Sequence, residues 1–190
     1  MAGGTAVQAR VSTWQLDPAH SSVEFSVKHM MMTTVRGRFK EVSATLHCDE
    51  EDPLRCRVEA EIRTASLDTG APERDAHLRS ADFFDAERYP MIRFRSMRAE
   101  GHVHPEEGSR FRVIGDLTIR DTTMEVAFDC VLEGQGRDPW GKERMGFSAQ
   151  TEIDRRDWGL RWNHAIETGG VLVANKVRIE VEVQFVRQEA

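Results

Sequence analysis

The chain has 190 residues, 31% of them charged, with a formal net charge of −6. That length is most simply one domain, able to bury roughly 70% of its unfolded surface, so neither metal nor disulfide is needed to hold it. Arg is interleaved with Glu and Asp rather than clustered, which excludes a nucleic-acid surface, and no apolar run approaches the roughly 18 residues of a membrane span, which excludes stable membrane insertion.

Residues 1–13 carry no apolar stretch or cleavage pattern of a signal peptide and read as a flexible N-terminal segment before a domain over 14–187. A cytoplasmic location is therefore expected. From about residue 22 onward, charge and apolar side chains alternate with period two, so successive side chains point to opposite faces of a strand. Eight strands are predicted, roughly over 22–30, 35–48, 55–66, 91–102, 109–119, 123–134, 143–153 and 174–187. Their apolar sets each keep one parity: Val23, Phe25 and Val27; Val42, Ala44 and Leu46; Val58, Ala60 and Ile62; Ile92 and Phe94. They continue as Phe111, Val113, Leu117 and Ile119; Met124, Val126, Phe128 and Leu132; Met145, Phe147, Ala149 and Ile153; and Val177, Ile179, Val181, Val183 and Phe185. Glu24, Arg57, Glu59, Arg93, Arg112, Glu125, Glu180 and Glu182 occupy the opposite parity. A membrane barrel reverses this arrangement, so the charged face is the outside of a water-soluble barrel. Turn residues at Asp52-Pro53, 106–109, 120–122 and 134–139 make the connections short and the order antiparallel and up-and-down.

Four features interrupt or punctuate the strands. The Met30-Met31-Met32 run reads either as adaptable lining for an apolar ligand or as gap-filling packing. Cys48 and Cys56 bracket a turn that could set them opposite each other in a hairpin; in a reducing cytoplasm they stay thiols at strand ends, while Cys130 is an inward small hydrophobe. The insertion 67–90 holds a short helix from Pro72 to Arg79, where Pro suits the first helical position, and a second short turn capped by Ser80. The insertion 154–173 opens with a helical turn stopped by Gly159. These two short helical insertions are expected as lids over a barrel mouth.

An eight-stranded barrel is either packed solid or just wide enough for one small ligand. Small inward residues such as Gly115 and Gly146 leave room for a long, thin, apolar molecule held by buried area, at roughly 25 cal/mol per Å². No nucleophile, phosphate-loop or dinucleotide motif occurs. His102 and His104 share a face but lack the further ligands of a zinc site, and no cofactor is called for. Arg74 and Asp75 read as a solvated surface or a loop-anchoring ion pair; alternatively Arg74 and His77, on one helix face at i, i+3, meet an anionic head group at the mouth, together with Arg155, Trp158 and Trp162.

Six ordered motifs resemble the YceI-like family: Trp14-x-Leu16-Asp17-Pro18-Ala19-His20-Ser21, Gly37-x-Phe39, Arg74-Asp75-x-His77-Leu78, Tyr89-Pro90-x-Ile92-x-Phe94, Gly115-Asp116-Leu117-Thr118-Ile119, and Asp154-Arg155-x-x-Trp158-Gly159-Leu160. The resemblance covers about residues 14–186 and departs at Asp121, where the family usually has Gly. It implies an all-β, lipocalin-like antiparallel barrel of eight strands with a long apolar tunnel that binds a polyisoprenoid or other long-chain amphiphile, such as a polyprenyl phosphate, a quinone or a fatty-acyl lipid, without metal. On that reading the ligand meets Phe25, Val27, Phe39, Ile62, Phe94, Val113, Val126, Phe128, Phe147 and Val181 in the tunnel. The alternative is a lipid-modifying enzyme using His20, His77 or Asp75 as acid or base. Monomer and homodimer both remain open.

Overall fold

The computed structural model describes residues 10–101, 108–167 and 169–189. Eleven strands form a single antiparallel sheet: β1 (Val11–Leu16), β2 (Ser22–His29), β3 (Thr33–Phe39), β4 (Val42–Asp49), β5 (Arg57–Arg63), β6 (Leu67–Asp68), β7 (Met91–Gly101), β8 (Arg110–Ile119), β9 (Thr122–Arg137), β10 (Glu143–Asp154) and β11 (Val173–Arg187). The order is β1-β4-β5-β7-β8-β9-β10-β11-β2-β3-β6, and a further β1–β11 pairing, Trp14 opposite Arg187 and Leu16 opposite Phe185, closes the ring.

The count of eight follows once two bends are recognised. β1 and β2 lie one after the other along the same edge of β11, separated by a 3-10 turn at Pro18–His20. β3 and β4 pair in turn with β2 and β1, so residues 11–29 and 33–49 form a hairpin of two bent strands. With β5, β7, β8, β9, β10 and β11 they make a closed, eight-stranded, up-and-down antiparallel barrel of lipocalin-like form. Closure leaves the barrel staves without free edges.

β1 corrects the expected boundary, because residues 11–13 are already in a strand. Its pattern escapes the alternation rule: Ser12 is polar yet buried, and its hydroxyl accepts a hydrogen bond from the Trp14 indole at 2.9 Å. Asp17 caps the turn behind it, accepting from the Ala19 N–H at 3.0 Å. The predicted strand over 35–48 is broken at Lys40-Glu41, while the β8–β9 hairpin turns through Arg120 and Asp121. There the left-handed conformation falls on Arg120, with φ 57°, and not on Asp121. The family's glycine is not needed at that position.

The one α-helix among the described residues, α1 (Pro72–Arg79), and the turns to Pro90 lie between β6 and β7. A 3-10 turn at Arg155–Trp158, ended by Gly159 at φ 79°, follows β10. Cys48 and Cys56 are joined in a disulfide across the β4–β5 hairpin, which decides between the two sequence readings.

Candidate ligand-binding cavity

A cavity of about 550 Å³ runs inside the barrel. The expected inward residues Phe25, Val27, Phe39, Ile62, Phe94, Val113, Phe128, Phe147 and Val181 all line it, and so do Arg155 and Trp158. Because each strand turns its apolar parity inward, Val, Ile, Leu, Phe and Ala make up most of the wall. Polar wall atoms have partners: the Ser96 hydroxyl accepts from the Val58 N–H at 2.8 Å. Burial pushes the Cys130 thiol up to about 12, so it carries no thiolate near neutral pH.

The two insertions do not cover a mouth; they plug one end. Phe83, Trp158 and Leu160 pack with Ile92, Leu117, Ile119, Val126 and Ile153 into a buried cluster. The Trp158 indole donates to the Leu117 carbonyl at 3.0 Å. Val126 faces inward but belongs to this packed end and is not part of the cavity wall. Trp162, His77 and Phe83 form an aromatic group on the plug, with the His77 ring 4.6 Å from Trp162 and 5.1 Å from Phe83, both edge-on. Of these three rings only Phe83 reaches the cavity.

The head-group assignment is corrected accordingly. Arg74 is exposed and away from the wall: its Nε donates to the Thr69 hydroxyl at 2.7 Å and its Nη2 to the Thr69 carbonyl at 2.9 Å. Arg74 and Asp75 each bond Thr69 and so tie the insertion down through that residue, without an ion pair between the two among the described residues. His77 Nε2 lies 2.8 Å from Asp82, and His20 Nδ1 2.9 Å from Asp17. Neither histidine nor Asp75 lines the cavity.

Arg155 does line it, buried to 5% exposure at the plugged end, but makes no ion pair among the described residues. Its guanidinium donates to the carbonyls of Ala174 (3.0 Å), Leu160 (2.8 Å) and Trp162 (2.9 Å), with a longer contact to Val173 at 3.4 Å. Burial lowers its pKa from the ordinary arginine value, yet the group stays charged. It pins Leu160, Trp162, Val173 and Ala174 together at the barrel floor.

At the opposite end the wall includes the exposed residues Glu50, Pro53, Gln135 and Arg187, so among the described residues this is where the cavity reaches the surface, its mouth. Arg187 bridges Glu50 of the β4–β5 loop and, at 2.8 Å, Glu143 of β10, while its guanidinium lies 5.8 Å above the Trp14 ring. The hydrogen bond from Arg187 holds the Glu143 carboxyl below the usual range. This rim was not legible in the sequence, since its members come from four separate strand ends.

Two glycines seat aromatic rings of the lumen. A Cβ at Gly37 would lie 2.4 Å from the Phe25 ring and 2.9 Å from the Thr69 methyl, so the glycine is a seat for that ring. At Gly115 the space is likewise filled, by the Phe94 ring and the backbone of Arg95 and Ser96. Gly146 alternates with the lining residues Met145 and Phe147 and is not itself part of the wall, which corrects its expected inward placement. Met30 and Met31, at φ 51° and 58°, form the β2–β3 turn outside the cavity, which corrects both readings of that run. His102 and His104 lie outside the described residues, and no cluster of three metal-ligating side chains occurs among those described. No helix among the described residues is long and apolar enough to cross a membrane.

The YceI-like domain model matches residues 14–185. A UPF0312 protein of Staphylococcus epidermidis is 34% identical over 176 residues, covering 92% of this chain and 98% of that one. Among solved structures, Burkholderia cenocepacia BcnA superimposes with a TM-score of 0.75 at 24% identity, over 89% of this chain and 98% of that chain. A polyisoprenoid binding domain from Saccharophagus degradans gives a TM-score of 0.67 at 13% identity, over 95% of this chain and 100% of that chain.

Proposed function

The chain belongs to the YceI-like domain family, and on that premise we propose that its barrel binds and carries an isoprenoid lipid, with the tail in the cavity and the head at the Glu50–Gln135–Arg187 rim. The observation that carries this reading is the largely apolar wall of a cavity of about 550 Å³, in which the buried charged side chain, Arg155, has its donors directed at backbone carbonyls. An anionic group pushed to the floor would meet a cation already engaged, whereas a hydrocarbon tail would gain roughly 25 cal/mol for each Å² of apolar surface removed from water. The name of the Saccharophagus neighbour supports the ligand class. Carriage or storage is favoured over catalysis because His20, His77 and Asp75 each have a local partner outside the cavity.

Extraction of the purified protein into organic solvent, followed by mass spectrometry, tests the proposal. One unaltered prenyl lipid in stoichiometric amount is the expected result. A mixture of a lipid and its chemically modified form would overturn carriage in favour of an enzyme, and an empty extract from a chain that also fails to take up a prenyl probe would overturn lipid binding altogether.

A further inference from the structure

We propose that the mouth end of the barrel docks on a phospholipid bilayer through Trp140, so that the cavity exchanges its ligand directly with the membrane; this rests on the reading that the cavity holds a lipid tail. Trp140 is 82% exposed, the most exposed of the large apolar side chains among the described residues, whereas Trp14 and Trp158 are buried. Tryptophan is highly buried on average, and an indole left in water adds nothing to the core.

The exposure is built in rather than a result of looseness. The β9–β10 turn is held by Asp138, whose carboxyl accepts from the N–H groups of Trp140 at 3.0 Å and Lys142 at 2.9 Å. The same carboxyl accepts from Arg144 Nε at 2.8 Å, and the Gly141 N–H donates to the Asp138 carbonyl at 2.9 Å. Arg144 in turn reaches Asp17 at 2.7 Å, tying the turn to the bend between β1 and β2. A rigid frame thus holds an apolar ring away from the fold.

The location gives that ring a partner. The turn joins Arg137 to Glu143, and Glu143 is the residue through which Arg187 closes the rim. Val11, 64% exposed, begins the neighbouring β1 opposite Asp49 of the cavity wall, so the exposed apolar tips lie beside the opening. A tail with no solubility in water has to pass between an apolar phase and this opening. The indole, with an apolar body and one N–H, suits the boundary between acyl chains and head groups, and the adjacent Lys142, which makes no ion pair among the described residues, suits a lipid phosphate. The exposed Met31 and Met32 belong to the plugged end and have no opening to serve.

The test is flotation of the parent, Trp140→Ser and Trp140→Phe chains with phosphatidylcholine vesicles, with and without phosphatidylglycerol, alongside uptake of dansyl-labelled geranylgeraniol from the same vesicles and from dilute solution. The parent should float and its indole emission should shift to shorter wavelength. Trp140→Ser should lose about 10-fold in vesicle binding and in uptake from vesicles, as expected for one large apolar anchor, while binding the probe from solution as the parent does; Trp140→Phe should recover part of the loss. Docking is overturned if the parent takes up the probe from solution but neither floats nor shifts its emission, or if Trp140→Ser floats equally well. A parent that takes up no probe from solution overturns the lipid-carriage reading, and docking with it.

Discussion

Asp75 accepts two hydrogen bonds from Thr69, one from its backbone N–H at 2.9 Å and one from its hydroxyl at 2.5 Å. Through them α1 holds the Thr69 methyl beside the Phe25 ring, both over the place a side chain at Gly37 would fill. The helix therefore acts on the cavity indirectly, by fixing a strand-end residue that backs the wall.

Removing Arg74 should lower stability and leave head-group choice alone. Arg74→Ala loses two hydrogen bonds on a partly exposed residue, worth about 1 kcal/mol together at such a site. Asp75→Ala, which strands a buried N–H and a hydroxyl, should cost about 1–3 kcal/mol. Affinities of Arg74→Ala for a polyprenyl phosphate and for the matching alcohol should fall equally, if at all; a loss confined to the phosphate would restore the head-group role.

Gly37→Ala should narrow the lumen rather than unfold the barrel. The nearest obstacle to the new methyl is the far edge of Phe25, a side chain that can swing off the wall into the cavity. Overpacking of this kind costs about 1–3 kcal/mol, so prenyl-probe binding should weaken about 10-fold. Adding Phe25→Leu should restore it, and failure of that rescue would show that the glycine serves only the backbone.

Val126→Asp and Val113→Asp should fail in different ways. Val126 is packed in the plug, where an unpaired carboxyl costs several kcal/mol or must remain protonated, so the loss should appear as a lower Tm. Val113 faces the cavity, where water can reach the new group in the empty state. That variant should stay folded and lose probe binding.

Acid should weaken the joint between β1, β2 and the β9–β10 turn. The hydrogen bond from Arg144, helped by that from His20, lowers the Asp17 carboxyl to about 2, against 3.8 for the unperturbed group. A carboxyl whose pKa is depressed on folding contributes stability that is complete above the unfolded value and is lost as pH falls through the folded one. The contribution should therefore disappear between about pH 4 and pH 2, and Asp17→Asn should flatten the stability curve over that window.

The Cys48–Cys56 bond should be worth about 2–3 kcal/mol for a loop of this length, read as a fall in Tm on reduction or in Cys56→Ser. Disulfides persist in oxidising compartments and are rare in the cytoplasm. Trapping free thiols before lysis separates the cytoplasmic expectation, with three alkylated cysteines, from an oxidising one, with Cys130 alone reactive once unfolded.

Much of the barrel is legible because a strand's inward set depends only on its own alternation: Phe111, Val113 and Leu117 keep their parity whatever they face. β1 was missed for the same reason, since buried Ser12 is polar and exposed Val11 is apolar, and the sign of the pattern inverts. Arg74 and His77 could be placed on one helix face from their spacing, but spacing is silent about what that face meets.

The sequence by itself determined the closed antiparallel barrel, its inside and outside, and the apolar character of its lumen, because these follow from local periodicity and from the need to bury one face of every strand. Only the tertiary structure decided which end opens. The plug joins Phe83, Trp158 and Ile92, and the rim joins Glu50, Glu143 and Arg187, residues far apart in the chain whose meeting depends on register, bends and closure and not on any local pattern.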